Sequence, residues 1–235
     1  MIGLGGKLLY NTLKALTLFA ARVLFRLKVE GVERVPRQGG VLIASNHVSH
    51  LDPPLVGAVM PRYVFHMAKL ELFKVGWLLA LMRAIGTIMV DRGSGKPALD
   101  EADRYIKHGE TVIIFPEGTR SKNGRLQKGR SGAIVIAIKA DCPILPVAII
   151  GSQHGLTKGT KKIKAVPISI RIGEPFTIDY SGDRDDIPHD ILRQETYKLM
   201  ERIEALLPDD MRPVPEDKAV WYKRERAALQ ETVNA

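Results

Sequence analysis

The 235-residue chain is short of cysteine, of aromatic residues and, over its first turns, of acid. Its single cysteine, Cys142, excludes an internal disulfide; the apolar neighbours of that thiol mark it as an inert core group in a reducing compartment. Aromatics are only 6% of residues and form no stacking ladder, and no nucleic-acid motif is present, so nucleic acid is not expected as a partner even at a net charge of +9. There is no internal repeat and no second apolar core. The first 28 residues also lack a long hydrophobic run: between Lys14 and Arg22 the uncharged stretch extends only from Ala15 to Ala21. A spanning helix needs roughly 20 apolar residues, so neither a membrane span nor a cleaved signal peptide is expected here. The same segment has no acid to balance Lys7, Lys14, Arg22, Arg26 and Lys28, and therefore carries +5 of the +9. A positive excess placed in this way leaves an anionic membrane or an anionic substrate as the partner.

Hydrophobic residues make up 45% of the chain, enough for a packed domain of this length. Within residues 1–28, helical spacing puts Leu9, Leu13, Leu16, Ala20, Val23 and Leu24 on one face and Lys7, Asn11, Lys14 and Arg22 opposite, with Leu18 and Phe25 intruding on the polar side. Such a helix lies in a membrane interface with its lysines toward anionic head groups, or packs on the domain. Residues 29–40 break the pattern with turn glycines and a proline. Beyond them short apolar runs alternate with helical patterns: strands at Val41–Ala44, Tyr63–Ala68, Gly86–Val90, Thr111–Phe115, Cys142–Ile150 and Pro167–Ile172, the last near a sheet edge because of its proline. Helices are expected at Leu55–Met60, Leu70–Ile85, Ala98–His108 (exposed), Ser131–Ala140 (buried) and Asp190–Leu207. Alternation of this kind is α/β: a single domain with a mainly parallel or mixed central sheet flanked by helices, preceded by an amphipathic, membrane-associating N-terminal helical segment. The expected divisions are that segment at 1–28, a catalytic domain at 29–207 and a charged tail at 208–235, in which Trp221-Tyr222 is a candidate anchor.

Chemistry gathers in loops that follow strands, where α/β sheets bind ligands. After Val41–Ala44 comes Ser45-Asn46-His47-Val48-Ser49-His50-Leu51-Asp52-Pro53-Pro54. The proline pair opens a helix, which puts Asp52 at or beside the N-cap and His47 at the strand end. A turn of this length lets the carboxylate hold one imidazole nitrogen while the other faces a substrate, as in a hydroxyl-activating pair; capping the helix is the competing role for Asp52. The loop after Val90 supplies Arg92, and the loop after Phe115 supplies Glu117, Gly118 and Arg120; Lys69 follows another strand and can reach the same space. A base and its orienter beside several cations suit a substrate with both a hydroxyl and a phosphate. Gly118 would let backbone approach a ligand closely.

Asn46-His47-Val48-Ser49-His50-Leu51-Asp52 resembles the His-x4-Asp block of the glycerolipid acyltransferases. Gly86-Thr87-Ile88-Met89-Val90-Asp91-Arg92, Phe115-Pro116-Glu117-Gly118-Thr119-Arg120-Ser121 and Ile144-Leu145-Pro146-Val147-Ala148 are similar to that family's second, third and fourth blocks, in its order and across about half the chain. The subgroup most resembled is the bacterial 1-acylglycerol-3-phosphate acyltransferases. The resemblance implies transfer of an acyl group from acyl-CoA or acyl carrier protein to the sn-2 hydroxyl of lysophosphatidic acid, giving phosphatidic acid. His47 would be general base, Asp52 its orienter, and Lys69, Arg92, Glu117, Gly118, Thr119 and Arg120 the substrate-binding set. No acyl-enzyme, cofactor or metal is implied, and the place of work would be the cytoplasmic side of the cell membrane, at an anionic surface. Rival readings are a metal hydrolase with His47, His50 and Asp52 as ligands, a non-catalytic lipid-binding protein, and an acyltransferase with another acceptor, glycerol 3-phosphate or another lysolipid.

Overall fold

A computed structural model describes residues 4–69, 76–84, 86–90, 95–156 and 162–223. The centre of the molecule is strand β2, Val41–Ser45, buried along its whole length. An uninterrupted apolar run of this kind forms a strand covered on both faces. Its side chains alternate between two cores. Leu42 and Ala44 point into one, and Val41 and Ile43 into the other.

Around β2 the sheet has seven strands in the order β1-β7-β6-β2-β5-β3-β4. These are β1 Lys28–Glu30, β3 Val64–Lys69, β4 Ile88–Val90, β5 Thr111–Ile114, β6 Ile144–Ile150 and β7 Ser169–Ile172. Every neighbouring pair is parallel except β6 with β7, so the sheet is mixed. The carboxyl ends of β6, β2 and β5, three adjacent parallel strands, therefore open onto one edge. β4 is also parallel and ends at the same edge, but at the far side of β5 and β3.

Two helical layers sandwich the sheet. On one face α4 (Lys96–Lys107), α5 (Gly132–Ala140) and α7 (His189–Ala205) bury Ala98, Ala102, Ile106, Ile134, Ala137, Leu199 and Ile203. On the other, α1 (Leu4–Phe25) and α2 (Asp52–Val59) contribute Ala21, Phe25, Leu55 and Val56. The remaining helices are α3 (Gly76–Ala84), α6 (Ser152–Gly155) and α8 (Pro215–Trp221).

Several expectations shift. Helix α4, expected to be exposed, buries its Ala98, Ala102, Ile106 stripe, because that stripe repeats every fourth residue and meets α5. Strand β1 falls where the sequence reads as turns; three exposed residues are too few to carry a period. It covers β7, which consequently lies one strand in from the edge, and Pro167 precedes that strand rather than belonging to it. The proline inside a strand is Pro146, in β6. Opposite it the segment running on from β7 carries one extra residue, between the Val147–Ile172 and Ile144–Phe176 pairings, so the missing N–H falls at a bulge. Of the helix expected at Leu70–Ile85, residues 70–75 and 85 lie outside the described residues. The stretch expected as a tail packs on the domain through Met211 and Tyr222, both buried.

Helix α1 has two apolar faces. Tyr10, Ala21 and Phe25 are buried against the domain, and Lys14, expected on the outer face, turns inward and donates to the Met60 carbonyl. Leu4, Leu8, Leu16, Phe19 and Val23 point away and are 61–87% exposed. At 22 residues α1 is long and apolar enough to cross a membrane by length and composition, contrary to the expectation from its charges.

Candidate active site

Asp52 is the first residue of α2 and has no exposed surface. It does not cap its own helix. Instead its carboxylate faces back into the preceding loop, where Oδ2 accepts from the backbone N–H groups of Val48 and Ser49, both at 2.7 Å, and from His47 Nδ1 at 2.8 Å. Oδ1 accepts a 2.6 Å hydrogen bond from Ser152 Oγ. Four donors in fixed positions compensate the cost of burying this group. Because a carboxylate can only accept, Nδ1 of His47 carries the proton and Nε2 is left with a lone pair.

The imidazole is further held by stacking on Phe115, with ring centroids 4.2 Å apart. Its side chain keeps 16% exposure, so the ring is fixed but reachable. The His47 backbone is clamped as well: its N–H donates to Glu117 Oε1 at 2.6 Å, and its carbonyl accepts from the Ser121 N–H at 2.7 Å. Asn46 ties the same loop to β6, since its side-chain amide exchanges two hydrogen bonds with the backbone of Ile149. The loops after β2, β5 and β6 are thus joined by side chains at one edge of the sheet.

Glu117 is buried, and both oxygens are occupied by backbone donors: Oε1 by His47 and Oε2 by the Gln127 N–H at 3.0 Å. Burial pushes its carboxyl up to about 8, against the pull of those two hydrogen bonds, and nearby Asp52 adds to the rise. Gly118 follows with φ +69°, exposed, and Thr119 is exposed beside it. Arg120 is half-buried. The backbone of Lys69 ends β3 at the same edge of the sheet. Arg92 lies outside the described residues.

His50 is exposed on the loop, and with all of Asp52's donors drawn from protein groups the His47, His50, Asp52 triplet is not arranged as a ligand set. Among the described residues no three His, Cys, Asp or Glu are grouped to hold a metal ion. Two residues of the site escape a reading of the sequence. Ser152 follows β6 after Gly151, at φ +90°, and a small polar residue after a glycine at a strand end was its only signal. Arg130 has its guanidinium laid over Gly118.

Residues 26–150 match the family model described as Acyltransferase. The chain belongs to the acyltransferase family. A 1-acyl-sn-glycerol-3-phosphate acyltransferase of Bacillus subtilis is 31% identical over 183 residues, 77% of this chain and 87% of that protein. One from Limnanthes douglasii is 30% identical over 174 residues, 70% of this chain. The aligned stretch spans 61% of the Limnanthes protein and 41% of a chloroplastic relative from Brassica napus. The crystal structure of the 1-acyl-sn-glycerophosphate (LPA) acyltransferase PlsC from Thermotoga maritima superposes with a TM-score of 0.69 at 28% identity, covering 86% of this chain and 80% of that one. The mixed seven-stranded α/β domain is this family's fold.

Proposed function

We propose that the protein transfers an acyl group from an acyl thioester, on coenzyme A or acyl carrier protein, to the sn-2 hydroxyl of 1-acylglycerol 3-phosphate, forming phosphatidic acid. The observation that carries this reading is the 2.8 Å His47–Asp52 hydrogen bond, made in a buried setting at the meeting of three loops. Nε2 takes the hydroxyl proton as the oxygen attacks the thioester carbonyl. The C–S bond then breaks, and the departing thiolate receives that proton from the imidazolium, so no acyl-enzyme is required. Asp52 keeps the imidazole in the useful tautomer and stabilises its cation. General-base assistance of this kind contributes about 10²–10⁴-fold.

Arg120, Gly118 and Thr119 take the acceptor's glycerol phosphate, with Lys69 and Arg92 completing the cation set. Glu117 acts on the reaction through His47, because its oxygens are spent on backbone groups. The outward face of α1 meets the membrane that holds the acceptor, lying in the interface on the cytoplasmic side; its hold on α2 favours a helix in the plane over one that crosses.

Purified protein supplied with acyl-CoA or acyl carrier protein donors and a panel of lysolipids is expected to yield phosphatidic acid by mass, and His47→Ala to yield none while keeping its fold. Near-normal turnover by His47→Ala, or acylation only of acceptors without phosphate, would overturn the reading.

A further inference from the structure

Arg130 lies at the start of the turn that leads into α5. Its own N–H donates to the Pro116 carbonyl at 2.8 Å, which ties this residue to the loop carrying Glu117 and Gly118. Its side chain then runs across Gly118 so closely that a Cβ there would lie 2.9 Å from Nε and 3.0 Å from Cδ. The exposed, left-handed Gly118 is the position that leaves room for it.

Two neighbouring cations have structural employment. Arg125 donates to the carbonyls of Asp209 and Arg212, and Lys128 sits 5.9 Å from the Tyr222 ring centroid. Arg130 is exposed and its guanidinium has no hydrogen-bond or ion-pair partner among the described residues; Arg120, two residues beyond Gly118 and half-buried, likewise has none there. The two carboxylates that hold the His47 loop are committed elsewhere, Asp52 to four donors and Glu117 to two, and among the described residues neither arginine has a carboxylate partner.

The geometry points to Arg130 as a second arginine for the phosphate monoester of the acceptor, closing over Gly118 from the side opposite the main chain. The inference rests on the acceptor reading given above. The acceptor phosphate is favoured over the donor's by simple connectivity. In a glycerol 3-phosphate only a few bonds separate the reacting hydroxyl from phosphorus, whereas a long pantetheine arm separates the thioester from the donor's phosphates. Gly118 directly follows the residue that holds the His47 N–H, so a cation over Gly118 belongs to a loop tied directly to His47, on the side of the acceptor's near phosphate rather than the donor's distant ones. A planar fork also binds phosphate in a defined orientation, which an ammonium does not.

Steady-state kinetics of the full chain with lysophosphatidic acid decide it. Arg130→Ala is expected to raise the acceptor KM about tenfold, the order of one lost charge-assisted hydrogen bond at an exposed site. Its kcat and donor KM should stay within about twofold of wild type, and Arg130→Lys should restore less than half of the loss. Arg130→Ala should also lose preference for lysophosphatidic acid over monoacylglycerol. An unchanged acceptor KM, or a rise in donor KM of equal size, overturns the assignment. Wild-type protein that fails to acylate lysophosphatidic acid at all refutes the acceptor reading instead, so the two failures are distinguishable. A thermal melt of each variant checks that the loop still folds, and Arg130→Gln serves as the test if the alanine variant does not.

Discussion

Ser152 and Asp52, 100 residues apart in sequence, share a 2.6 Å hydrogen bond on the carboxylate oxygen that His47 does not use. Through it the loop after β6 fixes the rotation of the carboxylate that holds His47 Nδ1. Ser152→Ala leaves a fully buried oxygen without its donor. A hydrogen bond to a charged group contributes about 1.5–3 kcal/mol, so urea titration should show a loss of that order. The kcat should fall several-fold, with acceptor and donor KM little changed, because the hydroxyl reaches neither substrate. A drop in stability with normal kcat would make Ser152 a packing residue only.

A second long-range tie runs from the C-terminal helix into the site's own loop. Tyr222 is buried, and its hydroxyl oxygen accepts the Gly129 N–H at 2.9 Å, immediately before Arg130. Tyr222→Phe keeps the ring and strands a buried N–H, which costs about 1–3 kcal/mol. The expected result is a lower melting temperature and a raised acceptor KM, since the same segment carries Arg130 and the Gln127 N–H that binds Glu117. A chain shortened before α8 should behave in the same direction and more severely. Unchanged stability in Tyr222→Phe would mean that water replaces the hydroxyl.

What the sequence made legible was local. Strand β2 is legible because a continuous apolar run bounded by turn residues has few alternatives, and His47 with Asp52 because their spacing spans one turn. The ties that make the site rigid were not legible. Ser152, Asn46 with Ile149, and Gly129 with Tyr222 are contacts between residues about a hundred positions apart, and no period encodes which loop lies beside which. The charge pattern of α1 misplaced Lys14 for a similar reason: its ammonium follows the Met60 carbonyl of another element rather than the polar face of its own helix. Arg130 reads in the sequence as one more basic residue in a basic loop, and gains meaning only from its place over Gly118.

Two titratable groups shifted by desolvation should give stability opposite slopes with pH. Glu117 is raised from 4.5 to about 8 in the folded protein by burial. Between those values the folded chain holds a proton that the unfolded chain has released, so its contribution is greatest below about 4.5 and is lost as pH rises toward 8. His66, whose Nδ1 is buried without a hydrogen-bond partner, is lowered by burial from 6.5 to about 4. Its contribution is present above about 6.5 and is lost as pH falls toward 4. The two oppose each other at mildly acid pH, and from about 6.5 to 8 Glu117 acts alone. Melts across that upper window should decline in wild type and stay level in Glu117→Gln, whatever the absolute stability of the variant. Parallel curves would mean the Glu117 carboxyl is already ionised in the folded protein.

The outward stripe of α1 gives the membrane reading a clean test. Removing residues 1–28 would expose the Val56 and Met60 core and delete Lys28 from β1, so loss of binding in that variant would not separate surface from fold. Leu16→Glu with Phe19→Glu alters two side chains that are 61% and 70% exposed, and leaves Tyr10, Ala21 and Phe25 in their packing. Each large apolar side chain buried in lipid contributes about 1.5–3 kcal/mol, so the double variant should bind vesicles containing anionic lipid at least about tenfold more weakly, with an unchanged melting temperature. Its acyl transfer to a water-soluble, short-chain lysophosphatidic acid should persist, while transfer to the same headgroup in vesicles falls. Undiminished vesicle sedimentation would move the membrane contact off this face. A matching loss on the soluble acceptor would place the effect in the fold rather than at the lipid surface.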